Sequence, residues 1–260
     1  MKISIVIVEY NSLDELHRCA ESLQKSFSRD VELIASSNSC YTKEKQDEAR
    51  AKFPQFKWIF NEKNGGFAYA MNHGLKLATG DYLIIANPDC VFIDKLDSMV
   101  DFLHEHSEVG AIAPQIIDVN GQIQDSCRQY VSVQSFILRN LKRIITRKEV
   151  ILDSHMDYSQ IQTVDWIIGA FIMVPRAVYE STMGLSDDYF MYAEDMDWCT
   201  RIRLDGWEIV YYPKVKIQYK GTRSARRNSG SAMVFLRSLK TYWMKFGYFC
   251  GFPKRKSIVY

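Results

Sequence analysis

The sequence predicts an α/β protein built on an open, mostly parallel sheet flanked by helices, and three observations predict it. Short β-branched runs alternate with segments of helical period over about the first hundred residues. The first run, Ile3 to Val8, suits a strand buried on both faces of a parallel sheet. Asn11, Asn38 and Asp89 each fall just after a predicted strand, which gathers them on the edge where such sheets bind ligands.

Each element carries its own signature. After Asn11 and Ser12, residues Leu13 to Ser26 place Leu13, Leu16, Cys19, Ala20 and Leu23 at amphipathic-helix spacing. Val31 to Ala35 reads as the second strand, Glu44 to Phe53 as a helix, and Phe56 to Phe60 as the third strand. The loop Asn64-Gly65-Gly66 precedes a helix from Phe67 to Ala78 with small residues on one side. Tyr82 to Ala86 is the fourth strand and ends at Asn87-Pro88-Asp89; Leu96 to His106 is a helix. Beyond Gly110 the pattern is mixed. Ala111 to Ile117 reads as a strand with a turn at Val119-Asn120-Gly121-Gln122. Residues 128 to 162 are less regular and carry a basic segment (Arg139, Lys142, Arg143, Arg147, Lys148) that could be mobile. Val164 to Val174 is apolar around Gly169-Ala170. Met196 to Asp205 reads as a helix and Trp207 to Tyr212 as a strand.

The bulk numbers bound the function. A chain of 260 residues suffices for one large α/β domain. A net charge of +2 supplies no global field for nucleic acid, although the chain turns basic beyond Lys214. The six cysteines show no C-x-x-C pair and no zinc spacing, which fits reduced thiols in a cytosolic protein. The N-terminal apolar run of about six residues is short for a signal peptide. No stretch approaches the roughly 20 apolar residues of a membrane span. The expectation is a cytoplasmic protein, neither secreted by this route nor integral to a membrane.

Three constellations could carry chemistry. Asp89, in Asn87-Pro88-Asp89, could hold a divalent cation against a diphosphate leaving group; the tripeptide is equally an ordinary turn. The segment Asn64 to Asn72 offers two glycines for close backbone approach and a helix N-terminus for an anion, or is a plain loop before a helix. Tyr192 to Trp198 places Glu194, Asp195 and Asp197 at a helix start, where the dipole favours acids and where one acid could serve as a general base.

In order and spacing, these segments resemble the glycosyltransferase family 2 enzymes, especially the bacterial rhamnosyltransferase-like branch. The likeness runs from about Ile3 to Ser224. It includes Ser4 to Asn11, Asn64 to Asn72, Asn87-Pro88-Asp89, Val164-Asp165-Trp166 with Gly169-Ala170, Tyr189 to Asp197, Arg201 and Gly206-Trp207. The resemblance implies a GT-A fold, with a catalytic domain over residues 1–225 and a basic, aromatic helical extension over 226–260. It implies Asp195 as the catalytic base, with Glu194 and Asp197 orienting either the acceptor or Asp195. It implies a donor site of Val8, Glu9, Asn11, Ser37, Asn38, Asn64, Gly66, Phe67, Asn72, Asn87, Asp89, Gly169, Ala170, Lys220 and Arg223, with Asp89 holding Mg²⁺ or Mn²⁺.

Three positions depart from the family. Ser37-Asn38 stands where an Asp-Asn pair is usual, so a neutral hydroxyl would meet the base. Tyr219 stands where a His is frequent, and Lys220, Arg223, Arg226 and Arg227 could bind phosphate directly instead. Ser186 replaces a frequent acid. The tail from Met233 to Lys256 mixes aromatics with basic residues, which suits either a membrane interface or packing on the core. The expected activity is an inverting transfer of a sugar from a dTDP- or UDP-linked donor, dTDP-rhamnose first among them, to a saccharide or lipid-linked saccharide in surface-polysaccharide synthesis. The alternative is a catalytically weak nucleotide-sugar-binding subunit. Nucleic acid is not an expected partner.

Overall fold

The computed structural model describes residues 1–23, 25–128, 130, 156–221, 229–247 and 258–260. In chain order the strands are β1 (Ile3–Glu9), β2 (Val31–Ser37), β3 (Phe56–Phe60), β4 (Tyr82–Ala86), β5 (Cys90–Phe92), β6 (Val109–Ile117), β7 (Cys127–Arg128), β8 (Gln162–Thr163), β9 (Trp166–Ile167), β10 (Phe171–Pro175) and β11 (Glu208–Tyr219). The helices are α1 (Leu13–Leu23), α2 (Lys43–Lys52), α3 (Phe67–Leu77), α4 (Asp97–Glu105), α5 (Arg176–Thr182), α6 (Glu194–Leu204) and α7 (Ser229–Phe246).

β1 shows why the chain makes three layers. All seven of its residues are buried, and successive side chains face opposite sides. Ile3, Ile5 and Ile7 pack with Leu16, Cys19 and Leu23 of α1 and with Met99 and Val100 of α4. Val6 and Val8 pack with Met71 and Leu75 of α3 and, through the same core, with Met196, Trp198 and Ile202 of α6. Burying each such isoleucine or valine contributes about 1.5–3 kcal/mol.

The main sheet runs β3-β2-β1-β4-β10-β6-β11-β5, with β8 on β11. β3, β2, β1 and β4 are parallel. β10 enters antiparallel between β4 and β6, and β11 returns parallel to β6. The chain leaves β1 on one side for β2 and β3, then returns on its other side as β4. Open α/β sheets bind ligands in the crevice at such a reversal, here the carboxyl ends of β1 and β4, where Glu9 and Asn87 stand.

Several boundaries differ from the sequence reading. β11 extends to Tyr219 through a register shift between Tyr212 and Lys216, which carries Tyr219 to the crevice. The apolar stretch from Val164 to Val174 divides into β9 and β10 at the Ile168–Ala170 turn. The C-terminal extension is not helical throughout. Ile258 and Tyr260 return to β8, where the Thr163 amide donates to the Ile258 carbonyl at 2.9 Å and the Tyr260 amide to the Ile161 carbonyl at 3.0 Å. The basic segment from Arg139 to Lys148 lies outside the described residues.

Candidate active site

The first wall of the crevice is the carboxyl end of β1. Glu9 is fully buried, and its carboxylate accepts from the Ser12 amide at 2.8 Å, Ser39 at 2.9 Å and Tyr41 at 3.0 Å. Ser37 Oγ donates to the same carboxylate at 2.5 Å and is itself buried. The serine expected to read a base therefore spends its proton on Glu9. Asn11, exposed in a left-handed turn at φ 51°, is pinned by its amide to Ser39 Oγ at 2.7 Å. Val8 points into the core, so only its backbone borders the crevice.

The second wall is β4 and its continuation. The Asn87 amide donates to the Ala170 carbonyl at 3.0 Å, and Asn87 Nδ2 donates to the Tyr219 hydroxyl at 3.1 Å. Asp89 is partly buried. Burial raises its pKa, while the Gly221 amide and the charge of Lys220 act to lower it. Burial also pushes the Tyr219 phenol up, and the carboxylates of Asp89 and Asp195 add to that push. One phenol thus senses both acids, although they are separated by more than a hundred residues in sequence.

The third wall is the start of α6. Asp195 accepts from the Gly169 amide at 2.8 Å and from the Met196 amide at 2.8 Å. Burial raises its pKa; those two amides and the charge of Arg128 oppose the rise. Glu194 is buried, and its Oε2 has no hydrogen-bond partner among the described residues. Burial, with the charges of Asp195 and Asp197, favours its protonated form. Asp197 differs from its neighbours: it is fully enclosed, with Arg201 Nε at 2.6 Å, Lys245 Nζ at 2.8 Å and the Tyr189 hydroxyl at 3.0 Å on its two oxygens. Its oxygens hold α6 to its surroundings.

The glycine-rich loop also serves a different end from the one expected. Gly66 has φ 94°, and a Cβ there would lie 2.1 Å from the Phe190 carbonyl oxygen. The glycine accommodates the segment before α6. The Phe67 amide donates to that same carbonyl at 2.9 Å. Asn64 caps the loop through the Gly66 amide at 3.1 Å, and buried Asn38 donates to the Gly66 carbonyl at 2.9 Å. Asn72 is buried and clamps Leu185 and Asp187. Asn38, Asn64, Gly66 and Asn72 are therefore braces around the crevice. The Phe67 ring does reach it: a Cβ built on Gly169 would lie 3.5 Å from Phe67 Cε1 and 3.7 Å from Asp195 Oδ2.

A family model described as Glycosyl transferase family 2 matches residues 4–181. The chain belongs to that family. Its rhamnosyltransferase-like character is borne out by the N-acetylglucosaminyl-diphospho-decaprenol L-rhamnosyltransferase of Mycobacterium tuberculosis, which is 26% identical over 253 residues, covering 89% of this chain and 80% of that one. Among solved structures, GalNAc-T7 with UDP, GalNAc and Mn²⁺ superposes with a TM-score of 0.60 at 17% identity, over 84% of this chain. The mannosyltransferase PcManGT of Pyrobaculum calidifontis, with GDP-Man and Mn²⁺, gives 0.56 at 17%, again over 84%. This chain spans 43% and 56% of those two proteins. The fold is GT-A, and the protein is a glycosyltransferase.

In this glycosyltransferase the sheet brings Glu9, Asn11, Asn87, Asp89, Gly169, Ala170 and Asp195 to one edge, with Phe67 beside Gly169 and Lys220 near Asp89. Arg223, Arg226 and Arg227 lie outside the described residues. Among those residues no group of three or more His, Cys, Asp or Glu side chains is placed to hold a metal. Two residues escaped the sequence reading. Arg128 sits over the Trp166 ring at 5.2 Å, held by Asp125 at 3.0 Å. It occupies a two-residue strand that gives no periodic signal. Lys245 lies among other basic residues in the tail and is distinguished only by its partner. Cys19, Cys40, Cys90, Cys127 and Cys199 are free thiols.

Proposed function

We propose that this enzyme transfers a sugar, rhamnose first among the candidates, with inversion, from a dTDP- or UDP-linked donor to a saccharide acceptor carried on a lipid, in surface-polysaccharide synthesis. The observation that carries the reading is the joining of Asp89 and Asp195 through Asn87, Gly169-Ala170 and Tyr219. One acid faces the place of a diphosphate and the other the place of an incoming alcohol. Asp195 takes the proton of the acceptor hydroxyl while that oxygen bonds to the anomeric carbon. The bond to the diphosphate breaks in the same step, its electron pair leaving with the phosphate. The Gly169 and Met196 amides hold the carboxylate in place. Burial and the charges of Asp195 and Asp197 push the Glu194 pKa up, which works against a second negative charge beside the base.

A hard divalent cation takes oxygen ligands and commonly uses one or two carboxylates plus substrate phosphates. Asp89, partly buried and bordering the crevice, fits that part; no protein cage is required. We propose Asp89 as the protein ligand of Mg²⁺ or Mn²⁺, which when bound neutralises charge on the leaving diphosphate. Lys220 adds a fixed cation on the same side. The name of the mycobacterial relative, which acts on a diphospho-decaprenol acceptor, supports the lipid-linked choice. No helix among the described residues is long and apolar enough to cross a membrane. Helix α7 turns Met233, Leu236 and Met244 outward beside Arg237 and Lys240, a mixture suited to the surface of an anionic cytoplasmic membrane. The aromatics expected there turn inward instead: Tyr242 is fully buried, while Phe235, Trp243 and Phe246 pack on the core. Tyr248, Phe249, Phe252 and the basic residues from Lys254 to Lys256 lie outside the described residues.

The test is transfer from a panel of nucleotide-sugars, with and without Mn²⁺ and with and without anionic vesicles, by wild type and Asp195→Asn. The expected result is product from wild type and a loss of about 10²–10⁴-fold in the variant. Equal inertness of both across the panel would favour the nucleotide-sugar-binding subunit instead.

A further inference from the structure

The acids of α6 are delivered by a turn that the backbone disfavours. The segment from Ser186 to Ala193 ends on Tyr192 and Ala193, at φ 71° and 64°. Neither is glycine, and consecutive left-handed residues persist only when their surroundings over-determine them. Helix α7 supplies much of that determination. Ser238 Oγ donates to the Met191 carbonyl at 2.7 Å. The Phe235 ring meets the Tyr192 ring edge-on, 5.8 Å between centroids. Tyr242 and Thr200 share a hydroxyl hydrogen bond at 2.8 Å, tying α7 to α6. Lys245 Nζ reaches three points around the turn: Ser186 Oγ at 3.2 Å, Asp188 Oδ2 at 3.5 Å and Asp197 Oδ2 at 2.8 Å. Positions 235, 238, 242 and 245 repeat at helical spacing, so a single face of α7 makes every contact.

Asp197 is the point where these contacts meet α6. Its side chain is fully buried two residues after Asp195, and Arg201 holds its other oxygen. Arg201 also donates to the Gly184 carbonyl at 2.6 Å, bracing the far end of the same segment. Two cations from two helices thus share one enclosed carboxylate. Removing either would leave the buried Asp197 carboxylate short of a charged partner.

We propose that Lys245 is a positioning residue for transfer. By bridging Asp197 to Ser186 and Asp188, it locks the Tyr192–Ala193 turn and so aims Asp195 at the acceptor oxygen. The proposal rests on Asp195 as the base, but the lock itself can be read without any substrate.

The decisive variants are Lys245→Met, which keeps the aliphatic stem and removes the head, Lys245→Arg, which restores a cation, and Lys76→Met, an exposed change on α3. Hydrogen exchange is measured on the amides from 186 to 196 and on those of β1. Lys245→Met is expected to speed exchange in the first set by about tenfold or more and leave β1 unchanged. Lys245→Arg should restore most of the protection, and Lys76→Met should match wild type. In turnover, Lys245→Met should lower kcat about tenfold or more with donor KM within about twofold. Unchanged exchange, or an equal acceleration in β1, overturns the lock. A faster-exchanging segment with unchanged kcat overturns the link to Asp195. If no donor is turned over even by wild type, the reading of Asp195 fails while the exchange data still decide the lock. Should Lys245→Met not fold, Ser238→Ala removes one hydroxyl bond to the turn and is judged by the same two readouts.

Discussion

Gly66→Ala should damage this enzyme more than its place in a loop suggests. Two costs can be worked from the structure. Gly66 lies at φ 94° and ψ 179°, a region practically restricted to glycine, and placing alanine there costs about 1–3 kcal/mol. The new Cβ would also stand 2.1 Å from the Phe190 carbonyl oxygen and 2.8 Å from its carbon, so backbone must retreat by about 1 Å. That retreat breaks the 2.9 Å bond from the Phe67 amide, worth about 1 kcal/mol. The total is about 2–4 kcal/mol. Because Phe190 lies on the segment that delivers Asp195, kcat should fall as well. Gly121→Ala is the comparison: its φ is 78° but nothing lies within 4 Å of a Cβ, so only the conformational cost of about 1–2 kcal/mol remains. Urea denaturation at pH 7 gives both stabilities, and a transfer assay gives kcat. Equal stability losses in the two variants, or full activity in Gly66→Ala, would refute the argument that Gly66 exists to admit Phe190.

Two further outcomes follow from buried carboxyls. Burial and its acidic neighbours push the Glu194 pKa up, so Glu194→Gln, which resembles the protonated form, should keep kcat within about fivefold, against the 10²–10⁴-fold loss expected for Asp195→Asn; comparable losses in the two would show that Glu194 works ionised. Glu32 is the opposite case. Burial would raise it, but hydrogen bonds from Lys57 at 2.5 Å, Ser4 at 2.5 Å and the Thr79 amide at 2.8 Å prevail and hold it at about 2, below its usual 4.5. Its contribution, about 3 kcal/mol, is present above pH 4.5 and lost as pH falls toward 2. The stability gap between wild type and Glu32→Gln should therefore be widest near pH 7 and close on acidification; parallel pH profiles would count against the bond network as its source.

The parts of the fold that were legible in the sequence are those whose signal is periodic. Ile3–Val8, Val31–Ala35 and Tyr82–Ala86 announce buried parallel strands because both faces must be apolar, and α1 and α3 announce themselves by spacing. The short elements were not legible. β5, β7, β8 and α5 are too brief to show a period, and their pairing depends on long-range contacts. The candidate site divides in the same way. Asp89 was legible because it follows a strand with a clear end, and Asp195 because it stands with two other acids at a helix start.

Side-chain direction was the illegible part, and it changes what several motif residues do. Asn38, Asn72 and Asp197 sit where ligand contacts were expected, yet each is buried and spends its polar atoms on backbone or on neighbouring side chains. A sequence places a polar residue beside a crevice without saying whether it faces in or out, and a buried amide or carboxylate must find partners wherever they are. The partners found here share one feature. Gly66 and Phe67 receive Phe190, Asn72 grips Leu185 and Asp187, and Arg201 and Lys245 converge on Asp197. All of them hold the stretch from 184 to 197. A motif residue can therefore be retained for catalysis without touching substrate. In this enzyme Asn72, Gly66, Arg201 and Lys245 all converge on one strained segment and on the start of the helix that carries Asp195.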